Sequence, residues 1–170
     1  MLLEPCTQLA AWTCLKWFTL LYFHSIINYT IIFGGNSTEC KKVFLAQKKI
    51  IRIMTGSRPR TSCKPLFQSL GILTVPSQYI LTLMNFVLQN QERYAPNIEV
   101  HNFNTRNKLK LHKLVSSLTL YQKGVYNIRV FNKLPEYATN LAGNKQFFIS
   151  TLRQYPVRKA LYSLDEFLND

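Results

Sequence analysis

The sequence predicts a mainly α protein: one compact helical domain with an irregular basic segment around residues 96–120. Three observations predict it. Hydrophobic residues make up 47% of the 170 and charged residues 17%, which supplies a core and argues against disorder. Residues 38–54 place apolar side chains at helical spacing. Residues 79–88, YILTLMNFVL, are apolar almost all round and follow a proline suited to a first helical turn. No internal repeat or long flexible linker divides the chain.

Residues 1–16, MLLEPCTQLAAWTCLK, carry Glu4 near the start and offer no small-residue cleavage site after a clean apolar run. They do not read as a signal peptide. Residues 17–33, WFTLLYFHSIINYTIIF, are uncharged and mostly apolar. That run is at the lower limit for a membrane span, and His24, Ser25 and Asn28 interrupt it. Lys16, His24 and Asn28 share one helical stripe, so the expectation is a buried core helix with one polar edge. A membrane anchor at 17–33 is the alternative, disfavoured because polar side chains are costly in lipid. The triplets at Asn28 and Asn36 match the glycosylation pattern but matter only in the secretory pathway, and both are read as chance.

Gly34-Gly35-Asn36-Ser37 breaks the chain. A helix then runs from Thr38 to Met54, with Ser37 or Thr38 as its cap and Gly56 as its stop. At about 100° per residue, Val43, Ala46, Ile50, Ile53 and Met54 form its expected buried face. Lys41, Lys48 and Arg52 lie opposite, with Lys42 and Lys49 beside them. A basic loop, Ser57-Arg58-Pro59-Arg60, follows. A short helix from Ser62 or Pro65 to Leu70 is closed by Gly71. Pro76 opens a buried helix expected to reach about Tyr94, with Thr82, Asn85 and Gln89 as its polar stripe and Pro96 as its end. Beyond it, Leu109-Lys110-Leu111 alternates like a short strand or extended arm. Residues 121–134 read as a further helix ended by Pro135, and 144–164 as one broken near Pro156.

The acids exclude several chemistries. The only aspartates are Asp165 and Asp170, and the six glutamates are scattered. Two-metal phosphoryl transfer needs carboxylates converging on ions about 3.5–4 Å apart, and no such set exists before the C-terminal residues. No carboxylate pair suits glycoside hydrolysis. Cys6, Cys14, Cys40 and Cys63 form no C-x-x-C and have no zinc-finger spacing to His24, His101 or His112. A Cys–His catalytic pair assembled in space stays open, but inert thiols are the favoured reading. No catalytic residue, metal ligand or cofactor is expected.

The bases point to a partner. The chain carries net charge +13, with no acid between Glu39 and Glu92 or between Glu99 and Glu136. The first gap holds Lys41, Lys42, Lys48, Lys49, Arg52, Arg58, Arg60 and Lys64. The second holds Arg106, Lys108, Lys110, Lys113, Lys123, Arg129 and Lys133. Unbalanced charge repels itself, and a phosphate backbone relieves that by releasing its own counterions. The bland alternative is a solvated basic face. Most of the 11 Phe, 9 Tyr and 2 Trp sit in apolar runs and read as core. Tyr121 and Tyr126, beside Lys123 and Arg129, are the best candidates for base stacking.

A resemblance sharpens this. The run YFHSIINYTIIFGGNS (22–37), QKKIIRIMTG (47–56) and SCKPLFQSLGILTVPSQYI (62–80) occur in order. NTRN (104–107), YQKGVY (121–126), FNKLP (131–135) and YSLDEF (162–167) follow them. Each block is weak alone. Together they resemble the region after the polymerase core in jockey-like non-LTR retrotransposon reverse transcriptases. The resemblance covers residues 17–170 as one helical unit, and leaves 1–16 as an unmatched N-terminal extension. It departs at Thr30, where the family usually has Gly, and at Gly34, where it usually has Trp.

The resemblance implies thumb-like helices and the segment beyond them. The family's metal-binding aspartates lie upstream, and nothing here matches them. It therefore implies a non-catalytic fragment of an RNA-directed DNA polymerase that contacts RNA or DNA backbone without sequence preference. The upstream polymerase region is a second implied partner. The residues assigned to backbone contact are Lys41, Lys48, Lys49, Arg52, Arg58, Arg60, Lys64, Arg106, Lys108, Lys110 and Lys113. The expected location is intracellular, cytoplasmic or nuclear. A membrane-associated protein and a functionless remnant are the alternative readings.

Overall fold

Helix α4 (Val75–Gln89) is the hub on which the other elements pack. A computed structural model describes residues 4–101, 106–108, 110–113, 126–134 and 159–169, with side chains at 13–14, 17–18 and, within those ranges, from 21 onward. Around α4 lie α1 (Glu4–Gly34), α2 (Thr38–Thr55), α6 (Tyr126–Asn132) and α7 (Leu164–Asn169). The short α3 (Lys64–Leu70) packs on α2, and a 3-10 turn (Gln91–Arg93) leads to the one-turn α5 (Asn97–Val100). The chain is mainly α, and among the described residues there is no strand.

Helix α1 runs unbroken through residues 16 and 17, where the resemblance begins. Its expected burial is corrected. Ile27 and Ile31 are buried and Phe23 packs beside them, but Phe18, Tyr22, Tyr29 and Phe33 are exposed. An apolar helix can bury only the stripe that meets a neighbour, and α1 meets α4 and α2. On its polar edge Gln78 Nε2 donates to Asn28 Oδ1 (2.6 Å), joining α4 to α1. Among the described residues, no single helix is long and apolar enough to cross a membrane.

The caps of α2 are as expected. Ser37 Oγ accepts from the Cys40 N–H (3.3 Å), and Gly56 ends the helix at φ 63°. Its buried face is not. Phe44, Gln47 and Ile51 face the core, whereas Val43, Ala46 and Ile53 are exposed. The helix is rotated by about a quarter turn from the expected register. The cause is Gln47, whose Nε2 donates to the Leu73 carbonyl (2.8 Å) and whose Oε1 accepts from the Val75 N–H (2.9 Å). One side-chain amide thus satisfies both backbone groups of the buried turn ahead of α4.

Gly71 closes α3 at φ 64°. Thr74 caps α4 by accepting from the Ser77 N–H (3.2 Å), with Pro76 in the first turn. Gly35 lies against the Tyr79 ring, where a Cβ would collide with Tyr79 Cδ2 and Cγ. The end of α4 is corrected from about Tyr94 to Gln89. Asn90 turns its side-chain Nδ2 onto the Phe86 carbonyl (2.8 Å) and breaks the helix long before Pro96.

Of the expected strand or extended arm, Leu109 lies outside the described residues, Arg106 to Lys108 form a turn and Leu111 makes one antiparallel bridge to Pro96, so the segment is held by a short ladder of backbone bonds. Asn97 N–H bonds to Lys110 O (2.9 Å), Ile98 N–H to Lys108 O (3.0 Å) and His112 N–H to Ala95 O (2.8 Å). Asn132 anchors it to α6, accepting from Leu111 N–H (2.9 Å) and donating to Leu111 O (2.8 Å). The helix expected over 121–134 is described from Tyr126 on; residues 121–125 and Pro135 lie outside the described residues. So do 144–158 of the last expected helix. Its described end is corrected: Leu161 to Ser163 are not helical, and a separate helix begins at Leu164. Ala160, Leu161 and Phe167 enter the same core as Ile51, Phe67 and Ile80.

Candidate nucleic-acid interface

Helix α2 carries four of the assigned bases, and the quarter-turn rotation decides what each does. Lys41 and Lys49 are exposed; Lys48 and Arg52 are half-buried. The Lys48 ammonium lies 4.2 Å from the Phe44 ring centre and 4.1 Å from that of Tyr162. Phe44 and Tyr162 themselves meet edge to face at 5.2 Å. Burial pushes the Lys48 ammonium below its ordinary value; the Arg52 charge adds to this and Cys63 opposes it. Arg52 Nε donates to the Thr61 carbonyl (3.0 Å), which fastens the loop after α2.

Lys64 is also engaged. Its Nζ pairs with Glu166 Oε1 at 2.8 Å, and Glu166 Oε2 accepts from the Tyr162 N–H at 2.7 Å. The bond from Lys64 and then that from Tyr162 hold the Glu166 carboxyl below its usual range. Ser163 Oγ accepts from the Glu166 N–H (3.0 Å), so Ser163 caps α7. Lys48, Arg52 and Lys64 therefore bind parts of this chain to one another.

The remaining bases face solvent. Lys41, Lys49, Arg58, Arg60, Arg106, Lys110 and Lys113 are exposed, and Lys108 is half-buried. Among the described residues the ion pairs are Lys42–Glu39 and Lys64–Glu166, so none of these eight is in one. They fall into two groups. Lys41 and Lys49 lie along α2, which from Lys41 to its end spans about 21 Å at 1.5 Å per helical residue, and Arg58 and Arg60 lie in the loop that folds back to Arg52. Arg106, Lys108, Lys110 and Lys113 lie along the ladder tied to α6 through Asn132. The two groups ride on different elements around α4.

The sequence reading missed three features. One is the Phe44–Lys48–Tyr162 cluster, whose members lie more than a hundred residues apart in part. A second is the ring pair His101–His112, 5.0 Å between centres, with His112 Nδ1 3.3 Å from Asn97 Oδ1. The third is a cleft of about 250 Å³ at the start of α2, lined by Asn36, Ser37, Lys41, Tyr79, Tyr162 and Asp165. Arg129 lies 5.4 Å from the Tyr126 ring centre, so the expected neighbourhood of those two is present. Tyr121, Lys123 and Asp170 lie outside the described residues. Cys14 is exposed, Cys40 half-buried and Cys63 buried, all as free thiols. Among the described residues no group of three or more His, Cys, Asp or Glu stands close enough to hold a metal ion.

In comparison with known proteins, the chain matches no family model, no curated protein and no solved structure.

Proposed function

We propose that this chain binds RNA or DNA through the phosphate backbone without sequence preference. This is the role implied by its resemblance to the C-terminal region of non-LTR retrotransposon reverse transcriptases. The observation that carries the reading is the set Lys41, Lys49, Arg58 and Arg60, exposed on α2 and its loop and in no ion pair among the described residues. Such cations gain most from displacing the counterions condensed on a nucleic acid. The ladder bases, Arg106 to Lys113, supply a second contact region. Lys48, Arg52 and Lys64 are reassigned from phosphate contact to holding the chain together. No catalytic residue is proposed.

The test is a salt titration of binding to a labelled RNA–DNA hybrid. The logarithm of affinity should fall linearly with the logarithm of salt concentration. Changing Lys41, Lys49, Arg58 and Arg60 together to alanine should reduce that slope by about 3–4, near one per lost phosphate contact. Unrelated hybrid sequences should bind alike. A folded sample that shows no binding at low salt, or a slope the quadruple variant leaves unchanged, removes the proposal.

A further inference from the structure

We propose that the outer face of α1 is a self-association surface, on which two copies of this chain pack about a two-fold axis. Phe18, Tyr22, Ile26, Tyr29 and Phe33 recur at intervals of three or four residues. At about 100° per residue they fall within roughly one quarter of the helix circumference. Their exposures are 68%, 64%, 51%, 86% and 93%. Isolated exposed apolar residues need no explanation, but a stripe of this length does.

Area argues for a second copy as the occupant. A buried aromatic side chain removes about 150–250 Å² from water. At these exposures the stripe offers roughly 700 Å² per copy, and a stable interface takes about 800 Å² per partner. A two-fold arrangement uses the same patch twice, so one stripe suffices for a closed pair. Within the stripe, Tyr29 and Phe33 are the rings that stand furthest out.

Charge sets the signature. Residues 17–33 contain no charged side chain, while the whole chain carries +13. Two copies can meet here without bringing cations into contact, yet their bodies repel through solvent. Salt screens that repulsion, so association should tighten as salt rises, opposite in sign to nucleic-acid binding.

Sedimentation equilibrium on the purified chain tests this at about 50 and 500 mM salt, where screening lengths differ severalfold. The expected result is a monomer–dimer equilibrium shifted toward dimer at the higher salt. Tyr29→Glu combined with Phe33→Glu should weaken the dimer at least about thirtyfold, with the helical circular dichroism unchanged. The salt trend is read on the unaltered chain, so the test survives a variant that misfolds. A folded monomer at both salts overturns the proposal, as does a dimer that loosens with salt. An open series beyond dimer, or a dimer indifferent to the variant, overturns it as well.

Discussion

Gln47 is fully buried, yet both ends of its side-chain amide are hydrogen-bonded. Replacing it with alanine strands the Leu73 carbonyl and the Val75 N–H without water. Each buried group left unpaired costs about 1–3 kcal/mol. Gln47→Ala should therefore lower stability by roughly 2–5 kcal/mol in urea unfolding, while the exposed neighbour Lys49→Ala stays within about 0.5 kcal/mol. Glu166 gives a pH signature. Its folded pKa is depressed below the ordinary 4.5 by the bonds from Lys64 and Tyr162. Its contribution is thus present above the unfolded carboxylate range and lost as pH falls through the folded value. Thermal unfolding followed from neutral pH down into that acid range should show this loss, and Glu166→Gln should flatten it. An unchanged acid limb in that variant would assign the effect elsewhere.

At the scale of the element, the legible features were local. Ser37, Gly56, Gly71 and Pro76 act within one turn of where they stand, so their residue types suffice to place helix ends. The face of α2 was not legible, because burying Gln47 depends on two backbone groups more than twenty residues away. Val43 and Ile53 then look like core residues by type, though exposed in fact. The free and engaged bases were equally hidden: Tyr162 and Glu166, which decide for Lys48 and Lys64, lie about a hundred residues downstream. This makes α7 a separable clamp. Tyr162→Ala removes the ring shared by Lys48 and Phe44, and each such contact is worth roughly 0.5–2 kcal/mol. Amide exchange should accelerate first in Leu164–Asn169, with α4 still protected. Uniform acceleration across α2, α4 and α7 would instead mean that the clamp and the core open as one unit.

At the scale of the whole molecule, the bases assigned to phosphate contact and the exposed aromatic stripe lie on different elements. Lys41, Lys49, Arg58 and Arg60 follow α2 and its loop and Arg106 to Lys113 the ladder, while the outer face of α1 is uncharged. Binding to a hybrid and pairing of copies should therefore be separable. Alanine at Lys41, Lys49, Arg58 and Arg60 should weaken only the first, and the paired changes at Tyr29 and Phe33 only the second. Loss of both together in either variant would show that hybrid binding requires the dimer.

The link from Thr74 to the Leu161 carbonyl has a consequence for how the chain is made. Its two ends are 87 positions apart. A ribosome adding about 5–20 residues per second delivers the second end roughly 4–17 s after the first. Throughout that interval Phe44, Val75 and Ile80 await Ala160, Leu161 and Phe167, their partners in the core. Until residues 160–167 have been added, the nascent chain carries that apolar surface without these partners. A premature stop before residue 160 leaves a product that degradation machinery should recognise, even though α1 to α4 are complete.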